Sequence, residues 1–240
     1  MKRFWDRATV DKGPEGHGVL LDGRPVRLPG GTPLAVPSAG LAEAVAAEWN
    51  AAGGGAKGGE MSLAEVPLTR LAGTAQERIA PDPEPMAEGI AQYAESDLLC
   101  YRADDPRLAA LQAEAWQPLL DWAARQHDAP LRVTAGVMPV AQERDAVAAL
   151  RRVLAGLPPL DLAVLGVLVP AFGSLVLGLA VVEGRLHAAE ALRLATLDET
   201  YQEEVWGTDA EAAARRARVA ADVDGAARLL ALARAPGGAS

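Results

Sequence analysis

The chain predicts an α+β fold: a small N-terminal β-rich α+β domain with a β-hairpin over residues 1–80, then a larger all-α helical bundle domain over 81–240. Three observations carry this. Apolar runs flank Asp22-Gly23 within Gly18–Leu28, the strongest short hairpin signal in the chain. From Asp105 onward, caps and stops punctuate one helically spaced segment after another. Half the residues are apolar but few are aromatic, so the core is built from Ala, Leu and Val, as in packed helices.

The elements follow in order. After the hairpin, Thr32-Pro-Leu-Ala-Val36 supplies another strand. Ser38 caps a helix to about Asn50, with Leu41, Val45 and Trp49 spaced by four on its buried stripe. Gly53–Gly59 reads as a flexible surface loop, Thr69–Ile79 resumes helical spacing, and Pro81-Asp-Pro-Glu-Pro85 is a natural break. Asp105 is an N-cap and Pro106 a first helical residue, opening a helix to about Gln126 that buries Leu108, Leu111, Ala115 and Leu119. Pro139 to Gly156 gives another helix.

Leu162–Val182 is 21 residues without a charge, long enough to cross a bilayer. Pro170 in its middle and flanks without a basic bias favour two short buried helices joined at Pro-Ala-Phe-Gly, with no stable membrane insertion. A helix from about His187 to Trp206 follows. Gly207 turns the chain, Thr208 caps the next start, and a last helix runs to about Ala235.

A formal charge of -9 repels phosphates, so nucleic acid is not an expected partner. The single cysteine, Cys100, cannot form an internal disulfide and reads as a small core residue in a reducing compartment. The N-terminus has neither a secretory signal nor an Arg/Ser-rich leader, so the protein is expected to stay where it is made. His17, His127 and His187 stand far apart, each a surface or loop histidine, and zinc is not expected. Lys57 sits in a glycine run that lacks the phosphate-loop pattern. Glu203 and Glu204 are neighbours about 100° apart on a helix and cannot flank one scissile bond. No catalytic residue, cofactor or metal is expected.

The most informative stretch is Leu197–Asp209. Wound as a helix, Leu194, Leu197, Tyr201 and Val205 fall within about 60° of arc and must face a core. Glu199, Gln202, Glu203 and Trp206 then collect on the far side. An aromatic among carboxylates on an outward face suits a docking partner. Trp206 taken alone fits equally well under the next helix, where a Trp before a helix-ending glycine often packs.

Several blocks occur together in one order: Arg3-Phe-Trp5, Leu21-Asp-Gly-Arg-Pro-Val26, Val36-Pro-Ser38, Ala47-Glu-Trp49 and Pro67-Leu-Thr-Arg-Leu-Ala72. Asp97-Leu-Leu-Cys-Tyr-Arg102, Gln112, Trp116-Gln-Pro-Leu-Leu120, Gly173-Ser-Leu-Val176 and Asp198–Gly207 continue it. In this the chain resembles the ATP synthase assembly chaperones specific for the α subunit of the catalytic head, found in mitochondria and α-proteobacteria. It departs from them at Gly53–Lys57 and at Glu60–Glu65, which puts only the helix-to-strand loop in doubt.

The resemblance implies a non-enzymatic chaperone, monomeric and without cofactor. It would bind the unassembled α subunit of F-type ATP synthase and shield its β-facing surface, in the bacterial cytoplasm. It assigns the client-contacting face to Glu199, Gln202, Glu203 and Trp206, with Asp209. Arg3, Phe4, Trp5 and Asp22-Gly23 are expected to fix the N-terminal unit. The competing readings are a soluble enzyme with a carboxylate-based pocket and a membrane-associated assembly protein.

Overall fold

The computed structural model describes residues 1–14, 16–136, 138–207 and 209–235, the side chains of 204–206 excepted. A small sheet region precedes a mostly helical remainder, as expected for α+β. Two compact units form: Met1–Asp82 together with Gly225–Ser240, and Pro83–Asp224.

In the first unit, β1 (Ala8–Gly13) and β2 (Gly16–Leu21) pair antiparallel, with Thr9 opposite Leu20. The strand β3 (Arg24–Pro25) returns from the Asp22-Gly23 turn, and β4 (Ala35–Val36) also pairs with β2. Asp22 takes φ 48 and Gly23 φ 80, the left-handed pair that a tight hairpin requires. The Asp22 carboxylate also accepts from the backbone N–H groups of Asp6 and Arg7, which holds it below the usual carboxylate range.

Helix α1 (Ala39–Ala51) starts at Ser38, whose Oγ accepts from Leu41 N. It buries Leu41, Val45 and Trp49 against Trp5, whose ring meets that of Trp49 edge-on at 5.0 Å. Helix α2 (Pro67–Thr74) lacks a capping side chain of its own. Glu48 of α1 supplies one, accepting from Leu68 N and Thr69 N at 2.9 and 3.3 Å. Burial pushes the Glu48 carboxyl up, against the pull of those two bonds.

The glycine run is not a loose loop. Gly53 is buried, and the Arg3 backbone bonds across to it in both directions, Arg3 N to Gly59 O and Gly58 N to Arg3 O. Gly53 has φ 65, and a Cβ there would lie 3.1 Å from Gly59 O, so the close approach requires glycine.

In the second unit, α3 (Glu84–Ala91) precedes β5 (Tyr101–Arg102), which pairs in parallel with β6 (Thr134–Ala135). Between them runs α4 (Pro106–His127), with Asp105 Oδ1 accepting from Arg107 N and Leu108 N. It buries Leu108 and Leu119, whereas Leu111 stays exposed. His127 is not at the surface: its side chain is 7% exposed, edge-on to Trp122, with Nε2 3.0 Å from Glu183 Oε1. Helix α5 (Arg144–Ala155) starts later than Pro139 because the Gln142 amide bonds the Arg132 backbone at both N and O, holding the preceding chain extended.

The apolar stretch forms α6 (Pro159–Phe172) and α7 (Leu175–Val182). The break lies at Gly173 and not at Pro170. Gly173 is left-handed at φ 63 and its N–H bonds Val169 O, whereas Pro170, so near the helix end, removes only one bond. Among the described residues no helix is long and apolar enough to cross a membrane. Cys100 is buried here, and desolvation pushes its thiol up to about 12, as suits an inert core residue.

The α6–α7 contact turns on Gly178. A Cβ there would stand 2.6 Å from Val169 Cγ2 and 3.1 Å from Leu165 Cδ2. Gly178→Val should therefore cost about 1–3 kcal/mol by overpacking. A change within about 0.5 kcal/mol in urea unfolding would show that the two helices can part freely.

Candidate partner-binding face

The segment after α7 is two helices, α8 (Ala188–Ala195) and α9 (Leu197–Trp206), not one from His187 to Trp206. The break is at Thr196, φ -101 and ψ 19, whose Oγ1 donates back to Leu192 O. Helix α10 (Ala210–Arg234) follows.

One side of α9 is anchored to α4. Gln112 Nε2 donates to Asp198 Oδ1 at 2.7 Å, while Gln112 Oε1 accepts from Ala103 N. Tyr201 donates its hydroxyl to Asp105 Oδ1, and the Arg107 guanidinium lies 5.9 Å from the Tyr201 ring. Trp116, fully buried, ties the preceding α8 to the same helix, donating Nε1 to Leu194 O at 3.0 Å. These bonds fix which side of α9 is left for other use.

The other side carries the acids. Arg216 of α10 reaches Glu199 at 3.4 Å and Glu203 at 2.5 Å. The Glu203 hydrogen bond, then the charges of both carboxylates, raise the Arg216 pKa. Glu203 was expected to face water, but its side chain is only 26% exposed, because Arg216 draws it against α10. Glu199 is half exposed and Gln202 exposed.

Asp209 is exposed and begins α10: its Oδ1 accepts from Glu211 N and its carbonyl from Ala213 N, an N-cap pattern. The side chain of Trp206 and the expected cap Thr208 lie outside the described residues. The structure thus brings Glu199 and Glu203 together, leaves Gln202 beside them, and gives Asp209 a capping role on the next helix.

Sequence reasoning missed Arg216, which sits 13 and 17 residues from its two partners, beyond any local helical spacing. Beside the cluster an indentation of about 290 Å³ is lined by Leu192, Thr196, Glu199, Arg215 and Arg216. Helix α9 has four carboxylates, Asp198, Glu199, Glu203 and Glu204, and no base. Of these, Glu199 and Glu203 share Arg216, while Asp198 is turned to α4. Among the described residues no three His, Cys, Asp or Glu side chains are grouped to hold a metal ion.

Residues 2–124, half of the chain, match the model of the ATP12 chaperone protein family. Solved structures agree over nearly the whole length. Atp12 from Paracoccus denitrificans is 43% identical with a TM-score of 0.88, covering 97% of this chain and 98% of that one. A point mutant of that protein gives 43% and 0.89. A candidate chaperone from Agrobacterium tumefaciens is 40% identical with a TM-score of 0.86, covering 95% of this chain and 85% of that one. The chain belongs to the ATP12 chaperone protein family.

Proposed function

We propose that this chaperone serves ATP synthase assembly by holding the unassembled α subunit and covering its β-facing surface until the catalytic head forms. Glu199, Gln202 and Glu203, with Trp206 and Asp209, make the contact. The observation that carries this reading is the pair of carboxylates sharing Arg216. Two acids satisfied by one base attract a further guanidinium, and client arginines meet a face whose acids are already held in place. The chaperone acts as a monomer in the bacterial cytoplasm, without nucleotide, and leaves by exchange for the β subunit. Moderate affinity with electrostatic steering suits a contact that must later be given up.

Co-expression with the α and β subunits tests the client: α should be captured and β should not. Capture of β alone would sink the reading. Two variants separate contact from scaffold. Glu203→Gln should weaken α capture about tenfold, the worth of one charge-assisted contact, with Tm moved less than about 3 °C. Arg216→Gln frees both carboxylates and should capture α at least as tightly as the native chain. If both variants lower capture equally, the cluster only shapes α9 and the client contact lies elsewhere.

A further inference from the structure

The chain is acidic overall, yet one face of its first unit is basic and apolar. Arg24, Arg27, Arg70 and Arg78 are exposed there, and among the described residues none has a carboxylate within ion-pair distance. Arg27 Nη1 donates to Gly31 O at 2.6 Å, which holds that guanidinium in place. Arg27, Arg70 and Arg78 border a groove of about 890 Å³ whose lining includes Val26, Leu28, Trp49 and Gly73, while Arg24 borders the hollow beside it. A second hollow of about 510 Å³ shares Val26, Arg27 and Trp49 with it and adds Phe4 and Pro25. Phe4 and Leu63, both lining residues, are each 61% exposed, an unusual state for side chains of that size.

The only acid in either lining is Glu77, and it is engaged: both carboxylate oxygens accept from Gly30 N, at 3.1 and 3.0 Å. A Cβ at Gly30 would stand 2.7 Å from Glu77 Oε1, so that bond depends on glycine.

We propose that this groove takes an extended segment of the client that carries apolar side chains flanked by carboxylates; the inference rests on the client reading above. Apolar side chains would fill the floor over Trp49, and carboxylates would meet the arginine forks in pairs of parallel hydrogen bonds. A concave apolar floor between arginine rims takes the side chains of an extended peptide, which a flat bilayer surface cannot insert into it. A client lacking an acidic segment would cover the guanidinium groups of Arg27, Arg70 and Arg78 without offering them a carboxylate, so the groove also selects.

The experiment uses the full chain, immobilised, with purified α subunit as the probe. Arg27→Glu combined with Arg70→Glu, and Leu63→Asp by itself, should each weaken α binding at least tenfold with melting unchanged. Arg70→Glu alone, at a side chain that makes no bond in the described structure, should give an intermediate loss. A photo-crosslinker replacing Phe4 should attach to a segment of α rich in Asp or Glu. If the native chain binds α and the arginine variants bind it equally well, the groove is not the site. Crosslinks to a basic segment or to a second copy of this chain would overturn the proposal, as would arginine-dependent sedimentation with phosphatidylglycerol vesicles in place of α binding. Failure of the native chain to bind α would instead remove the client reading, and this inference with it.

Discussion

Arg3→Met is expected to destabilise the protein by about 3–5 kcal/mol, close to the limit for a single substitution. Arg3 is 3% exposed and, among the described residues, has no carboxylate partner. It donates instead to four backbone carbonyls: Nε to Trp5 O, Nη1 to Asn50 O and Ala52 O, and Nη2 to Asp6 O. The Asn50 and Ala52 carbonyls lie at the end of α1, where the helix itself has no donors left and its dipole favours a cation. Methionine keeps the packing against Trp5 but takes the donor from four carbonyls, of which those of Trp5 and Ala52 lie in buried bonds and those of Asn50 and Asp6 in part-buried ones. Arg3→Lys should recover less than half of the loss, since an ammonium cannot span the same fork. Urea unfolding followed by Trp fluorescence reads both; a loss under about 1 kcal/mol for Arg3→Met would mean that water reaches those carbonyls.

Asp97→Ala should show a cost that depends on pH, largest in acid. Asp97 is fully buried; its Oδ1 accepts from Leu99 N and its Oδ2 from Val176 N, both at 3.0 Å. Desolvation pushes its pKa up to about 6, although bonds from Val176, Ser174, Leu99 and Leu175 pull it down. The folded value thus exceeds the unfolded one, about 3.9. The folded state binds the proton more tightly, so this group's contribution is fully present below pH 4, falls as pH rises from about 4 to 6, and is flat above. The fall amounts to about 3 kcal/mol.

Removing the carboxyl strands at least the buried Leu99 and Val176 N–H groups at every pH, costing about 2–4 kcal/mol, but above pH 6 it also removes the ionisation penalty. The native-minus-variant difference should therefore be greatest near pH 4 and smallest near pH 7. Taking the difference cancels the other carboxylates, such as Asp22 and Glu65, whose lowered pKa values act in the opposite direction. A difference that grows with pH would mean that the buried carboxylate is the favoured form.

What the chain revealed in advance was what local chemistry decides. The Asp22-Gly23 hairpin, the Ser38 cap and the Asp105-Pro106 start each follow from one or two residues whose backbone preferences allow little else. Strand β1 escaped notice because most of its side chains are exposed and polar, leaving no alternation to see. The break at Thr196 was hidden by an apolar stripe that continues across it. At the candidate face the surplus of carboxylates was legible from spacing alone. Their arginine was not, because ion pairs between successive helices leave no periodic trace. The resemblance marks Arg3 as a residue that fixes the N-terminal unit; only the fold shows how, by closing the end of α1.

The composition of the first unit has a consequence for how the protein folds. Helix α10 begins among residues of the second unit, but from Gly225 on the chain belongs with Met1–Asp82. Ser38 Oγ donates to Leu232 O at 2.6 Å, a bond that spans 194 residues of sequence. The hairpin and α1 therefore cannot complete their unit until the chain from Gly225 on has come back to them. Such distant pairing slows folding and leaves partly formed surface exposed in the meantime. A chain cut before Gly225 would lack the partner of Ser38 and leave the first unit unfinished, so the hairpin depends on residues about 200 positions away.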